Sequence, residues 1–167
     1  MPERKTIERA RKDRREGKAA TTQAGEFVRE EMDHIREGKH GARSTKQAIA
    51  IGLSKARRAG VKLAPPKKGE AKERTRRSAE RAVAAGQRGD HSVSRKRSRA
   101  VTGALKREGR AAASKPALAK QARSAARRRS AADRSAAAKK AARTKGASER
   151  SAAARKAART RARKRSA

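Results

Sequence analysis

Residues 24–63 read AGEFVREEMDHIREGKHGARSTKQAIAIGLSKARRAGVKL, and this stretch decides the fold. It contains Phe27, Val28, Met32, Ile35, Ile49, Ile51, Leu53, Val61 and Leu63, whereas the rest of the 167-residue chain offers only Ile7, Val83, Val93, Val101, Leu105 and Leu118 as Leu, Ile, Val or Phe. A hydrophobic core can therefore form in one place only, because burial of large apolar side chains is what offsets the entropy of ordering a chain.

Within the stretch the punctuation is helical. Thr22 is a candidate N-cap and Gly38 a candidate C′ residue for a helix over residues 24–37, with Val28, Met32 and Ile35 on one stripe and Phe27 at its edge. Ser44 followed by Gln47 is a capping box, and Gly60 before Val61 fits a Schellman stop, so a second helix runs between them. Ile49, Leu53 and Ala56 share one of its faces with Ala48 and Gly52, while Ile51 points away. A glycine inside a helix costs about 1 kcal/mol relative to alanine, so Gly52 is read as a packing glycine in a flat strip with Ala48 and Ala56. Residues 24–60 thus form a helical hairpin joined by the loop Gly38–Arg43. A unit this small needs a neighbouring helix, a second copy or nucleic acid to stand.

Working outward, residues 1–21 read as a basic N-terminal arm, 22–63 as the hairpin core, and 64–70, with Pro65 and Pro66, as a linker. Residues 71–109 hold two weak helices, Ala71 to Ala85 ending at Gly86 and Val93 to Arg107 ending at Gly109. Residues 110–167 form an Ala/Lys/Arg tail in which RSAAAKKAART (Arg134–Thr144) returns as RSAAARKAART (Arg150–Thr160). The expected fold class is mostly α, a short hairpin plus marginal helices. The tail is expected to be disordered or conditionally helical, since like charges at i and i+4 repel.

The 51 Lys+Arg against 16 Asp+Glu leave a formal net charge of +35. With so few large apolar groups, this excludes one globular domain spanning the whole chain. There is no cysteine, hence no disulfide framework or thiol chemistry. No apolar run approaches a membrane span and the charged N-terminus lacks a signal-peptide core, so no membrane partner and a cytoplasmic location are expected.

The partner such a chain fits is a polyanion. Residues 110–167 hold 20 Lys+Arg against Asp133 and Glu149, a net +18, which matches the phosphates of about 9 base pairs. Candidate phosphate contacts are Lys39, Arg43, Lys46, Lys55, Arg57 and Arg58 on the hairpin, and Arg127, Arg128, Arg129, Lys139, Lys140, Arg155, Lys156, Arg159, Arg161, Arg163, Lys164 and Arg165 on the tail. Single-strand recognition stacks bases on aromatic side chains, and Phe27 is the sole aromatic. Double-stranded DNA, bound without sequence preference, is therefore the expected ligand, with RNA or a ribosome-associated role as one alternative and a plasmid-maintenance factor binding a protein as another. Self-association through residues 24–60 is a further option.

Other signals are weaker. The run Ala48, Gly52, Leu53, Ser54 matches the turn of a helix-turn-helix, but Arg58 stands where that motif is apolar and Gly60 would end the recognition helix. Glu26, Glu30, Asp33 and Glu37 lie on nearly one line of the first helix, read either as a solvated face or as a dock for basic residues of the tail or of another copy. His34 with Glu30 and Glu37 lacks a third strong ligand at characteristic spacing, so neither a metal nor a cofactor is expected. No phosphate-cradling glycine loop or nucleophile elbow is present, and no catalysis is expected.

Residues 25–63, and above all the run KQAIAIGLSKARRAG at Lys46–Gly60, resemble a family of small, strongly basic bacterial proteins of unknown function, some labelled plasmid stabilisation proteins. Arg97–Arg129 is similar to the downstream part of its longer members. The tail resembles in composition the C-terminal arms of linker histones and of bacterial histone-like proteins. The family resemblance implies a bacterial, cytoplasmic protein and carries over no catalytic residue; the expected role, from the charge, is that of a histone-like, nucleoid-associated protein.

Overall fold

The computed structural model describes residues 2–89, 94–144 and 146–165, the side chains of Thr144 and Lys164 excepted. Among them are eight α-helices and no strand: α1 (Arg4–Arg15), α2 (Ala20–Arg36), α3 (Thr45–Arg58), α4 (Glu73–Arg88), α5 (Arg95–Lys106), α6 (Lys115–Arg127), α7 (Ala131–Thr144) and α8 (Ala147–Arg165), with a 3-10 turn at Ala111–Ala113. The chain divides into two units, Met1–Gln121 and Ala122–Ala167. None of the helices is long and apolar enough to cross a membrane, the described residues being the ones considered.

The α2–α3 hairpin is the centre of the first unit, and its ends are set by local chemistry. Ser44 caps α3 by accepting from the Gln47 N–H at 3.2 Å. The Gln47 amide oxygen reaches back to the Arg43 N–H at 2.9 Å, one residue earlier than the reciprocal bond of a capping box. At the other end Gly60 lies at φ +84°, with Gly60 N–H on the Arg57 carbonyl and Val61 N–H on Ala56, the paired bonds of a Schellman motif. Gly17 and Gly38 end α1 and α2 in the same way. The start of α2 departs from expectation. Thr22 lies in the first turn rather than capping it, because the chain becomes helical at Ala20 after Ala19, with no side-chain cap.

Two apolar clusters flank the hairpin. Phe27, Ala24 and Ala56 are buried with Ala10 of α1, with Ile7, Leu53, Val61 and Leu63 packed around them. Met32, Ile35, Ala42 and Ala48 are buried with Ala112 and Ala113, with Val28, Ile49 and Leu118 alongside. The hairpin therefore finds its missing cover within the chain: α1 on one side, the 3-10 turn on the other. Thr45 Oγ1 donates to the Ala112 carbonyl at 2.7 Å and Arg36 Nε to that of Ala113 at 3.1 Å, fixing the turn.

Two expectations are corrected by this arrangement. Residues 1–21 are not an arm: they hold α1, whose Thr6 and Ala10 are buried, and the start of α2. Gly86 does not stop a helix. It lies inside α4 against the Arg57 carbonyl, where no Cβ would fit, and Gly89 at φ +65° ends the helix instead. The second weak helix is α5, expected to begin at Val93, which lies outside the described residues; Val101 on it is 54 % exposed.

The tail is also corrected, from disordered or conditionally helical to helical. Alanine fills seven of the 14 positions of α7, and each is favoured over an ordinary residue by up to about 0.7 kcal/mol. Against that, the like-charged i,i+4 pair Lys139–Arg143 costs about 0.2–0.5 kcal/mol. Ser130 adds a cap, accepting from the Asp133 N–H at 3.0 Å while its hydroxyl donates to the Asp133 carboxylate at 2.7 Å. The two repeat copies fall one in α7 and one in α8.

Candidate nucleic-acid interface

The hairpin residues expected to touch phosphate separate into two groups. Arg43, Lys46 and Arg58 are exposed, and none enters an ion pair among the described residues. Lys46 and Arg58 lie within about 120° of each other on the outer side of α3.

The other three are engaged within the fold. Lys55 Nζ sits 2.7 Å from Glu31 Oε2 and 3.4 Å from Glu30 Oε1, two carboxylates that are almost wholly buried. Arg57 is 7 % exposed, and its Nε and Nη2 donate to the carbonyls of Leu63 (3.2 Å) and Ala64 (3.0 Å), tying the extended segment after α3 to the helix. Burial draws the Arg57 pKa below the ordinary guanidinium value. Lys39 is half exposed, held between Glu3 (3.2 Å) and Glu37 (3.0 Å). The hydrogen bonds that Lys39 donates to Glu37 and Glu3 push its pKa up, and the bonds from His34 and Lys39 hold Glu3 down at about 2.

The acidic line on α2 is neither a free solvated face nor open for docking along its length. Arg9 of α1 takes Glu26 at 2.5 Å, and Glu30 accepts the Glu3 backbone N–H at 3.2 Å besides meeting Lys55. Asp33 pairs with Arg36, and Glu37 with Lys39. The face that sequence leaves acidic is the face on which α1 lies.

Sequence reasoning missed a basic surface that α1 creates. Arg4, Arg11 and Arg15 are exposed at spacings of seven and four, within about 40° on the helix, with Lys5 and Lys12 beside them. That spacing is visible in the sequence but has meaning only once the segment is helical. Arg95, Lys96, Arg97 and Arg99 on α5 are exposed as well.

In the tail Arg127, Arg128, Arg129, Lys139, Lys140, Arg155, Lys156, Arg159, Arg161, Arg163 and Arg165 are all exposed; the side chain of Lys164 lies outside the described residues. On α8 the cations at 150, 155, 156, 159, 161, 163 and 165 surround the helix axis on all sides. The repeat makes Arg134, Lys139, Lys140 and Arg143 of α7 equivalent to Arg150, Arg155, Lys156 and Arg159 of α8. The sole aromatic, Phe27, is 1 % exposed and offers no stacking surface.

One further group brings metal-type donors together among the described residues: Glu31, His34 and His40, whose ligand atoms lie within 4.8 Å of one another. Glu30 and Glu37, which the sequence places beside His34, are not part of it, being paired with Lys55 and Lys39.

Residues 3–68 match a family of unknown function (DUF6496). The match takes in α1, α2 and α3, including the Lys46–Gly60 run, while Arg97–Arg129 and the rest of the tail lie outside it. No curated protein and no solved structure matches the chain.

Proposed function

We propose that the chain is a non-catalytic, nucleoid-associated protein that binds double-stranded DNA without sequence preference by neutralising phosphates. The observation that carries this reading is the tail: 20 cations over residues 110–167 against Asp133 and Glu149, most of the described ones on helices and every described basic side chain exposed. Charge this dense and one-signed exceeds what solubility requires, and it favours binding driven by release of condensed counterions. The exposed cations of α1, with Arg43, Lys46 and Arg58, add contacts from the folded unit.

Duplex DNA is preferred over single strands because the chain has no exposed aromatic to stack on bases. Fluorescence anisotropy with unrelated 20-base-pair duplexes, a single strand and a structured RNA tests the reading. It requires duplex affinities within a few-fold of one another, falling by about 10³-fold or more between 50 and 200 mM salt. A preference of tenfold or more for the RNA would move the assignment to an RNA-binding or ribosome-associated protein. No binding to any of them would favour a plasmid-maintenance role through a protein partner.

A further inference from the structure

We propose that Glu31, His34 and His40 form a binding site for one borderline divalent metal ion, Zn²⁺ above all. The geometry follows from the end of α2. Glu31 and His34 are three residues apart, hence on one face of the helix. Gly38, in the left-handed conformation at φ +80°, turns the chain sharply enough to bring His40 back onto that face.

Three observations point to a cation. Glu31 is 0 % exposed, and neither of its carboxylate oxygens accepts a hydrogen bond, although Lys55 Nζ lies 2.7 Å from Oε2 as an ion-pair partner. Buried carboxylate oxygens are ordinarily hydrogen-bonded, so Oε1 in particular is left to be satisfied. It faces His40 Nε2 at 3.3 Å. His40 Nδ1 is 3.0 Å from the Gly41 carbonyl, which can only accept; a proton on Nδ1 satisfies that contact and leaves Nε2, on the side of Oε1, able to serve as a metal ligand. A buried carboxylate oxygen without a hydrogen bond thus stands beside an imidazole nitrogen, an arrangement that a metal ion between them would satisfy.

His34 completes the set. Its side chain is 13 % exposed, and its ring lies edge-on to that of His40 with centroids 6.1 Å apart. Glu3 Oε1 is 2.9 Å from His34 Nε2. A carboxylate on one imidazole and a backbone carbonyl on the other are the outer partners that orient metal-binding histidines.

Two histidines and a carboxylate, with one position left for water, form a donor set suited to Zn²⁺. Donors now up to 4.8 Å apart would draw in to about 3.3 Å, the edge of a tetrahedron with bonds of about 2.0 Å. Lys55 does not block the site, because Glu30 Oε1 at 3.4 Å provides a second carboxylate for the ammonium.

The test is a zinc titration of the full-length, tag-free protein after chelator treatment, by calorimetry and by the visible absorption of Co²⁺ in place of zinc. The site requires saturation at one ion per chain and a tetrahedral Co²⁺ band. His40→Asn and His34→Gln should each weaken binding at least tenfold and abolish the band, with helical circular dichroism unchanged. His40 lies in a loop, so its variant remains informative even if Glu31→Gln fails to fold. Absence of saturable binding by the intact protein would overturn the site. Unaltered affinity in both histidine variants would equally overturn it.

Discussion

Gly52 and Val28 meet where α3 packs on α2: a methyl group on Gly52 would stand 2.7 Å from the Val28 Cα and 3.0 Å from both the Phe27 carbonyl oxygen and Val28 Cγ2. Two of these obstacles are backbone, which cannot rotate away as a side chain can. Replacing a helical glycine by alanine ordinarily gains about 1 kcal/mol, whereas forcing an extra methyl into a packed interface costs about 1–3 kcal/mol. Gly52→Ala is therefore expected to lower stability despite the better propensity, read as a lower urea midpoint with an unchanged slope. A rise in the midpoint would show that the helices can move apart freely.

Lys55 holds two buried carboxylates, Glu30 and Glu31. Removing the cation while leaving the acids produces uncompensated buried charge, which costs about 3–5 kcal/mol. Lys55→Met keeps the aliphatic stem and removes only the charge, so the loss should appear almost in full in chemical unfolding. The triple replacement with Glu30→Gln and Glu31→Leu is expected to recover most of it.

At the start of α4, Glu73 accepts from Arg76 at 2.7 and 2.9 Å and from Arg77 at 3.0 Å. These bonds hold its carboxyl below the ordinary value of 4.5. A carboxylate depressed on folding contributes stability that is present above its unfolded value and lost as the pH falls through its folded one. Glu73 should thus titrate below 4.5 by carbon-detected NMR, and Glu73→Gln should remove an acid-side loss of α4 order confined to that window.

In the tail, Ser130 caps α7 from an exposed position. Ser130→Ala is expected to weaken that helix by about 0.5–2 kcal/mol, visible as faster amide exchange over residues 131–134. Exchange in α8 should not change, since Gly146, whose carbonyl takes the Arg150 N–H, opens that helix independently.

The features legible in the sequence were those written in local chemistry. Ser44, Gln47, Gly60 and Val61 placed α3 to the residue because caps are made by neighbours in the chain. Gly52 was legible because an unfavourable helical residue between Ala48 and Ala56 demands a packing reason. By contrast α1 contributes Thr6 and Ala10 to the interior, small residues that leave no hydropathy signal, so its docking on the acidic line of α2 was hidden. Gly86 was ambiguous in principle, since glycine serves both to end helices and to let them touch. Among the candidate phosphate contacts, Lys55 and Arg57 look like any surface cation in one dimension. Only the partners brought up by folding, Glu31 for one and the carbonyls of Leu63 and Ala64 for the other, distinguish them from Lys46 and Arg58.

The central claim, phosphate neutralisation by the tail, is tested most directly by the slope of log affinity for duplex DNA against log salt concentration. The measurement compares the intact protein with a variant carrying glutamine at Arg127, Arg128, Arg129, Lys139, Lys140, Arg155, Lys156 and Arg159. Each phosphate contact contributes about 0.9 to that slope. The variant's slope should be shallower by about 0.9 for every contact these eight residues make, a reduction of several units, with a parallel loss of affinity at low salt. An identical slope in the two proteins would contradict the claim.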